Sequence, residues 1–367
     1  MHRLDEHLDG GRAASAVTSS CRRPVLDIET VMDLRVHLQW AIEVEHTTIV
    51  SYLCALCSLE PGSNAAAAEV LHSVMLEEMM HLTLAANLLN AVGGHPELDC
   101  SRLVPGYPRT LPHRDPPLLV PLAPFSTETL DLFLEIEQPG AVDAESQADC
   151  YATIGQFYDA IRRGFRALVD DLGTTAVFCG DPSRQIADAG FRGRPGRVSG
   201  IAGLDTALTA LDLIVEQGEG AERIEVWDGD CDLFHPEQHS VGHYYRFLQL
   251  RLGRRFRRGD TPSSGPSGDP VEVDWSAVRP MRLNPRVADH ELGSPVRDAM
   301  QHANRIYCEL LAQLEAAFNG RPEMLGPSIA SMFRLRPAIE RLLTMRVDDS
   351  GTVAGPSFEW VRPEDRR

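Results

Sequence analysis

The stretch Val74-Met75-Leu76-Glu77-Glu78-Met79-Met80-His81-Leu82-Thr83-Leu84 sets a carboxylate and an imidazole three residues apart within an apolar run. In a helix that offset stacks Glu78 and His81 on one face, one turn apart, so both can reach the same ion. A charged Glu amid Leu and Met is expensive to bury unpaired, and a metal ion is one of the few ways to compensate it. E-x-x-H also arises by chance on solvated helix faces, so the neighbouring helix has to decide between the two readings.

Outward from this motif, Val70, Val74, Met75, Leu82, Leu89 and Val92 keep a helical stripe from Ser63 or Asn64 to Gly93-Gly94. Before it, Leu34, Leu38, Ile42, Ile49, Leu53 and Leu56 mark another helix from Thr30 to Leu59, stopped by Pro61-Gly62. Two long helices joined by a tight turn form an antiparallel hairpin, the unit of a helix bundle. Glu45 lies about 17 residues before that turn and Glu78 about 16 after it, which brings them level. Glu45 plus Glu78 and His81 make half of a di-metal carboxylate site, whose other half comes from two further helices. His46 points about 100° away from Glu45 and reads as packing or as support for a ligand.

The second half is less regular. Residues 93–125 are rich in Pro and Gly and read as an excursion over the surface. Helical patterns return at about 127–137, 150–172, 203–218 and 238–255. Residues 173–202 are irregular between them. After a Pro/Ser/Gly-rich stretch, Gly259–Pro270, two more helices cover about 295–318 and 327–346. No strand of convincing length and no repeat is visible. The expected fold is an all-α four-helix bundle with long inserted loops and additional C-terminal helices. Residues 1–26 read as an arm, 27–258 as the bundle, 259–361 as a linker with helices packed on the same unit, and 362–367 as a tail. Glu216 follows the apolar run Leu211–Val215, and Glu219 stands one turn on. His243 supplies a second imidazole, but the position that would complete a second E-x-x-H is Ser240. Three readings stay open: Glu219 provides the missing oxygen, His239 binds one turn before His243, or the second metal is loosely held.

The chain has 35 Lys plus Arg against 53 Asp plus Glu, a net charge of −18. Such a surface repels phosphate backbones and argues against nucleic acid as a partner. No run approaches the roughly 18 apolar residues of a membrane helix, and the N-terminus has no apolar signal core, so a cytoplasmic protein without membrane contact is expected. Cys54-x-x-Cys57 lies within a helical apolar pattern and reads as reduced core cysteines rather than a redox pair.

The segments Glu45-His46-Thr47-Thr48-Ile49, Glu77-Glu78-Met79-Met80-His81, Asn87-Leu88-Leu89 through Gly93-Gly94, and Thr153-Ile154-Gly155-Gln156-Phe157-Tyr158 together resemble one family. Glu216-Gln217-Gly218-Glu219-Gly220, His243-Tyr244-Tyr245-Arg246-Phe247, Phe318-Asn319-Gly320 and Gly355-Pro356-Ser357-Phe358-Glu359 continue the match over roughly residues 27–361. The chain resembles the ferritin-like domain of the iminophenyl-pyruvate dimer synthase family, the VioB/RebD type. The resemblance implies a ferritin-like bundle, iron as cofactor, a role in bacterial secondary metabolism, and Glu45, Glu78, His81, Glu216 and His243 as metal ligands. Two irons per chain are expected; carboxylate and imidazole donors also suit Mn or Zn. With O2 or peroxide, the expected chemistry is oxidation of a small amine, amino acid or imine-type substrate. Met75, Met79 and Tyr52 are candidates to line a pocket, and Arg162-Arg163 or Arg246 to hold a substrate carboxylate. A homodimer is kept open. The competing expectation is a metal-storage or scaffold protein without turnover.

Overall fold

In the computed structural model, residues 28–140, 151–186 and 198–366 are described. The expected arm, residues 187–197 of the second irregular stretch, Cys21 and Cys150 lie outside them. Helix α1 (Val31–Ser58) begins at a capping box: Asp33 N–H donates to Thr30 Oγ1 at 3.1 Å, and Thr30 N–H to Asp33 Oδ2 at 2.9 Å. Its successor α2 (Ala65–Ala91) follows Asn64 in the left-handed region and ends where Gly93, at φ 73°, turns the chain. These two antiparallel helices form the most extensive contact between elements and frame the rest.

Strands β1 (Arg109–Thr110) and β2 (Leu119–Val120) clip the excursion that follows into a small antiparallel pair. Then come α3 (Thr127–Ile136), α4 (Ile154–Leu172), the single turn α5 (Thr174–Val177) and α6 (Leu204–Glu219). A second antiparallel pair, β3 (Trp227–Cys231) and β4 (His239–Val241), precedes α7 (His243–Leu252). The sequence pattern carried a helix from about 238; the structure starts it at His243. Trp227 pairs with Val241, and Gly242 lies so close to α6 that a Cβ there would meet Gly220 N at 2.7 Å. Both strand pairs are short, and the architecture is all-α with long loops.

The C-terminal helices α8 (Pro295–Phe318) and α9 (Leu325–Leu342) form a second hairpin. The segment before them laces onto the bundle. Glu60 N–H donates to Ala277 O (3.1 Å), Arg279 N–H to Ser58 O (2.8 Å), and Asn284 N–H to Leu122 O (2.9 Å). Asn90 of α2 donates to Phe318 O at 2.6 Å, and Asn319 to Pro96 O at 2.8 Å. One apolar core accordingly runs from Ile28 to Phe358. Near the chain end, Arg366 pairs with Asp99. Cys54 and Cys57 are buried free thiols, and burial pushes Cys57 up to about 12, which leaves it an inert core group. No helix among the described residues is long and apolar enough to cross a membrane.

Candidate metal centre

Glu45 of α1 and Glu78 and His81 of α2 meet at one depth, as their distances from the turn require. All three are buried. His81 Nδ1 lies 3.8 Å from Glu45 Oε2 and 3.8 Å from Glu78 Oε2. A second group shares Glu78: His243 Nδ1 is 2.8 Å from Glu78 Oε1 and 3.7 Å from Glu137 Oε2. In each triad, Glu45/Glu78/His81 and Glu78/Glu137/His243, the donor atoms lie within 4.8 Å of one another. Glu137 caps the C-terminus of α3, and His243 is the first residue of α7, so packing of α3 against α7 assembles the second triad.

The surrounding bonds assign the imidazole tautomers. Arg246 Nη1 clamps Glu77 Oε2 at 2.9 Å, and this outweighs the effect of burial to hold Glu77 down to about 2. The resulting carboxylate only accepts, so His243 Nε2, 2.9 Å away, donates to it. Gln217 donates through Nε2 to Asp230 Oδ2 (2.9 Å), which turns its Oε1 toward His81 Nε2 at 2.8 Å. Both rings therefore turn Nδ1 toward the carboxylates. His243 Nδ1 sits 2.8 Å from Glu78 Oε1. At that separation a proton has to lie between them, and a cation held by the carboxylates would take its place.

The charges agree with this. Burial, then the charge of Glu78, raises Glu45 well above the ordinary carboxylate range and raises Glu137 as well. Glu78 stays low because hydrogen bonds involving Glu45, His243 and His81 outweigh its burial. Burial opposes a proton on His243, but the carboxylates of Glu137, Glu77 and Glu78 prevail. Three carboxylates in a dry pocket compete for too little positive charge, and divalent cations relieve that. The donor set, oxygens and imidazole nitrogens without thiolate, fits Fe, Mn or Zn. Hydroxyls orient the carboxylates further: Tyr158 donates to Glu45, Tyr52 to Glu137, and Thr48 to Glu78 Oε2 at 3.1 Å.

Of the residues proposed from sequence, Glu45, Glu78, His81 and His243 come together, while Glu216 and Glu219 stand outside both triads. The residue of α6 that faces the site is Gln217. Glu216 is about 100° away around the helix, half-buried near Asp212 and Arg162. Glu219 accepts from Gly155 N (2.9 Å) and Gly140 N (3.2 Å) and pairs with Arg223 Nε at 2.7 Å. Its carboxylate so fills the space at Gly155 that a Cβ there would lie 2.2 Å from Oε1. His239 is exposed beside Arg258, and Ser240 accepts from Arg246. Arg246 spends its donors on Glu77, Asp228, Ser73, Ser240 and Val241 O, so it supports His243 and is not a substrate clamp. Arg162 pairs with Asp212 instead. His46 faces Tyr307, away from the carboxylates. Glu137, Glu77 and Gln217 are the site residues that sequence reading passed over. Glu137 had a signal: with Leu130 and Phe133 it continues the buried stripe of α3 at spacings of three and four.

Glu219 yields a pH prediction. Burial pushes it up to about 7, although Arg223 and the two amides pull the other way. Between the ordinary value of 4.5 and about 7, the unfolded chain has released this proton while the folded chain keeps it. Stability is therefore expected to fall as pH rises through that window, by up to about 3 kcal/mol from this group. Urea melts of metal-free protein at several pH values should show Glu219→Gln flattening the slope. Equal slopes would refute the assignment.

A family model described as Ferritin-like matches residues 38–252, and the chain belongs to that family. Among curated proteins it is similar to dichlorochromopyrrolate synthase of Lentzea aerocolonigenes, with 27% identity over 321 residues, 78% of this chain and 29% of that one. The chain thus spans less than a third of that relative's length. Its fold matches the crystal structure of a ferritin like protein from Caulobacter vibrioides, with a TM-score of 0.60 and 24% identity, covering 89% of this chain and 99% of the other.

Proposed function

We propose that this chain is a di-iron oxidoreductase of secondary metabolism that uses O2 or peroxide on a small amine, amino acid or imine-type molecule. The observation that carries this reading is the pair of buried triads sharing Glu78, the arrangement by which ferritin-like bundles hold two metals. Iron held there would supply electrons for reaction with O2 or peroxide. The chain's own residues do the rest. Glu78 would serve both positions, Glu45 with His81 and Glu137 with His243 would complete one position each, and Tyr158 and Tyr52 fix the outer carboxylates. The apolar core around the triads excludes bulk water, which strengthens every one of these electrostatic contacts. Similarity to a synthase named for dichlorochromopyrrolate supports natural-product chemistry.

The test is oxygen uptake by anaerobically Fe(II)-loaded protein, offered a panel of L-amino acids, their amines and freshly formed imines. Continued uptake with a matched product, beyond the burst of iron oxidation, is expected for one class. Uptake that ends with that burst for every compound would sink the enzyme reading and leave storage.

A further inference from the structure

The motif Gly355-Pro356-Ser357-Phe358-Glu359 takes no part in the triads, yet its Ser357 and Glu359 line a cleft elsewhere on the molecule. That cleft, about 470 Å3, lies between the excursion after α2 and the C-terminal segment, and no triad residue touches it. Tyr107, Pro108, Pro285 and Trp360 form apolar walls, and Arg286 and Glu359 bring opposite charges. Arg286 is exposed, and its guanidinium donates to Tyr107 O at 3.4 Å. Among the described residues no carboxylate pairs with it, Glu359 included.

Glu359 is held in place rather than free to swing. Its Oε2 takes Val287 N–H at 3.0 Å, the Ser357 hydroxyl at 2.8 Å and Asn304 Nδ2 at 3.5 Å. Its Oε1 receives no hydrogen bond among the described residues. Next to it Phe358 adopts φ 46°, a conformation a bulky side chain takes only when its surroundings impose it. Its ring is locked edge-on against Tyr307 at 5.0 Å. The cleft thus holds a carboxylate and a guanidinium that form no ion pair with each other.

We propose that this cleft binds a small zwitterion with an apolar ring, a free amino acid with an aromatic or alicyclic side chain. The ligand carboxylate would sit on Arg286, its ammonium on Glu359 Oε1, and its ring between Tyr107, Trp360 and the prolines. The volume lies in the range of small-molecule pockets, which pair apolar walls with a few fixed polar groups. This site stands independently of whether the triads hold metal.

Calorimetric titration of metal-free full chain with L-phenylalanine tests it, beside 3-phenylpropionate, which lacks the ammonium, and phenethylamine, which lacks the carboxylate. Saturable binding of L-phenylalanine is expected, with each truncated analogue about tenfold or more weaker. Arg286→Met should weaken L-phenylalanine and 3-phenylpropionate by about tenfold and leave phenethylamine unchanged. Because Arg286 is exposed and gives its side chain only one backbone bond, the variant should melt like wild type. Glu78→Ala should bind L-phenylalanine as wild type does. Absence of saturable heat, equal affinity in wild type and Arg286→Met, or loss of binding in Glu78→Ala would each overturn the proposal.

Discussion

Glu78→Ala is expected to lower anaerobically loaded Fe(II) from about two per chain to near zero. Glu78 is the one residue common to both triads, so the substitution leaves Glu45 with His81 on one side and Glu137 with His243 on the other. Two protein donors per ion are too few, and the affinity loss should exceed the 10–100-fold typical of losing a mere supporting bond. The metal-free variant should still fold, because the charge removed is one that raises both Glu45 and Glu137. Circular dichroism would show this. The companion variants discriminate between ligand sets: Glu137→Ala should lose one ion, while Glu216→Ala should lose none. Wild-type iron in Glu78→Ala, or loss in Glu216→Ala with Glu137→Ala unaffected, would refute the triads.

Arg246→Met should produce the largest loss of folding stability, about 3–5 kcal/mol. Arg246 is 4% exposed and sits between Glu77 Oε2 at 2.9 Å and Asp228 Oδ2 at 3.0 Å. Its removal strands two buried carboxylates, and each must then take a proton or disrupt the core. Urea melts of metal-free protein measure the effect. Arg251→Met is the control: its partner Asp131 is exposed, and the loss should stay below about 1 kcal/mol. Combining Arg246→Met with Glu77→Gln and Asp228→Asn should restore part of the stability, since no uncompensated charge is left. A loss as small as that of the Arg251 control would show that the two carboxylates find another partner.

Half of this centre was legible in the sequence because it depends on local periodicity. The offset of Glu78 and His81, and the equal distances of Glu45 and Glu78 from one turn, fix their meeting before any tertiary detail is known. The other half depends on packing between remote segments. Glu137 and His243 stand 106 positions apart and meet because α3 lies against α7. The rotation of α6 misled the assignment of Glu216 and Glu219, although its own stripe held the answer. Ala207, Ala210, Leu211 and Ile214 are its buried face, and the next residue on that face is Gln217. The late start of α7 follows from the β3–β4 pair and the crowded Gly242, and the helical pattern of 238–255 contains neither cue.

The two triads are built on different footings. Glu45, Glu78 and His81 project from the middles of α1 and α2, where each backbone amide is bonded on both sides of the ligand. Glu137 is the cap that follows one helix and His243 the first residue of another, at helix ends where some backbone groups lack intrahelical partners. Releasing a mid-helix ligand means breaking a helix, whereas releasing a terminal one means unwinding a single turn. The proposed centre thus has a fixed jaw and a hinged jaw, and an ion held there would be released on the hinged side at the cost of local fraying rather than of the fold.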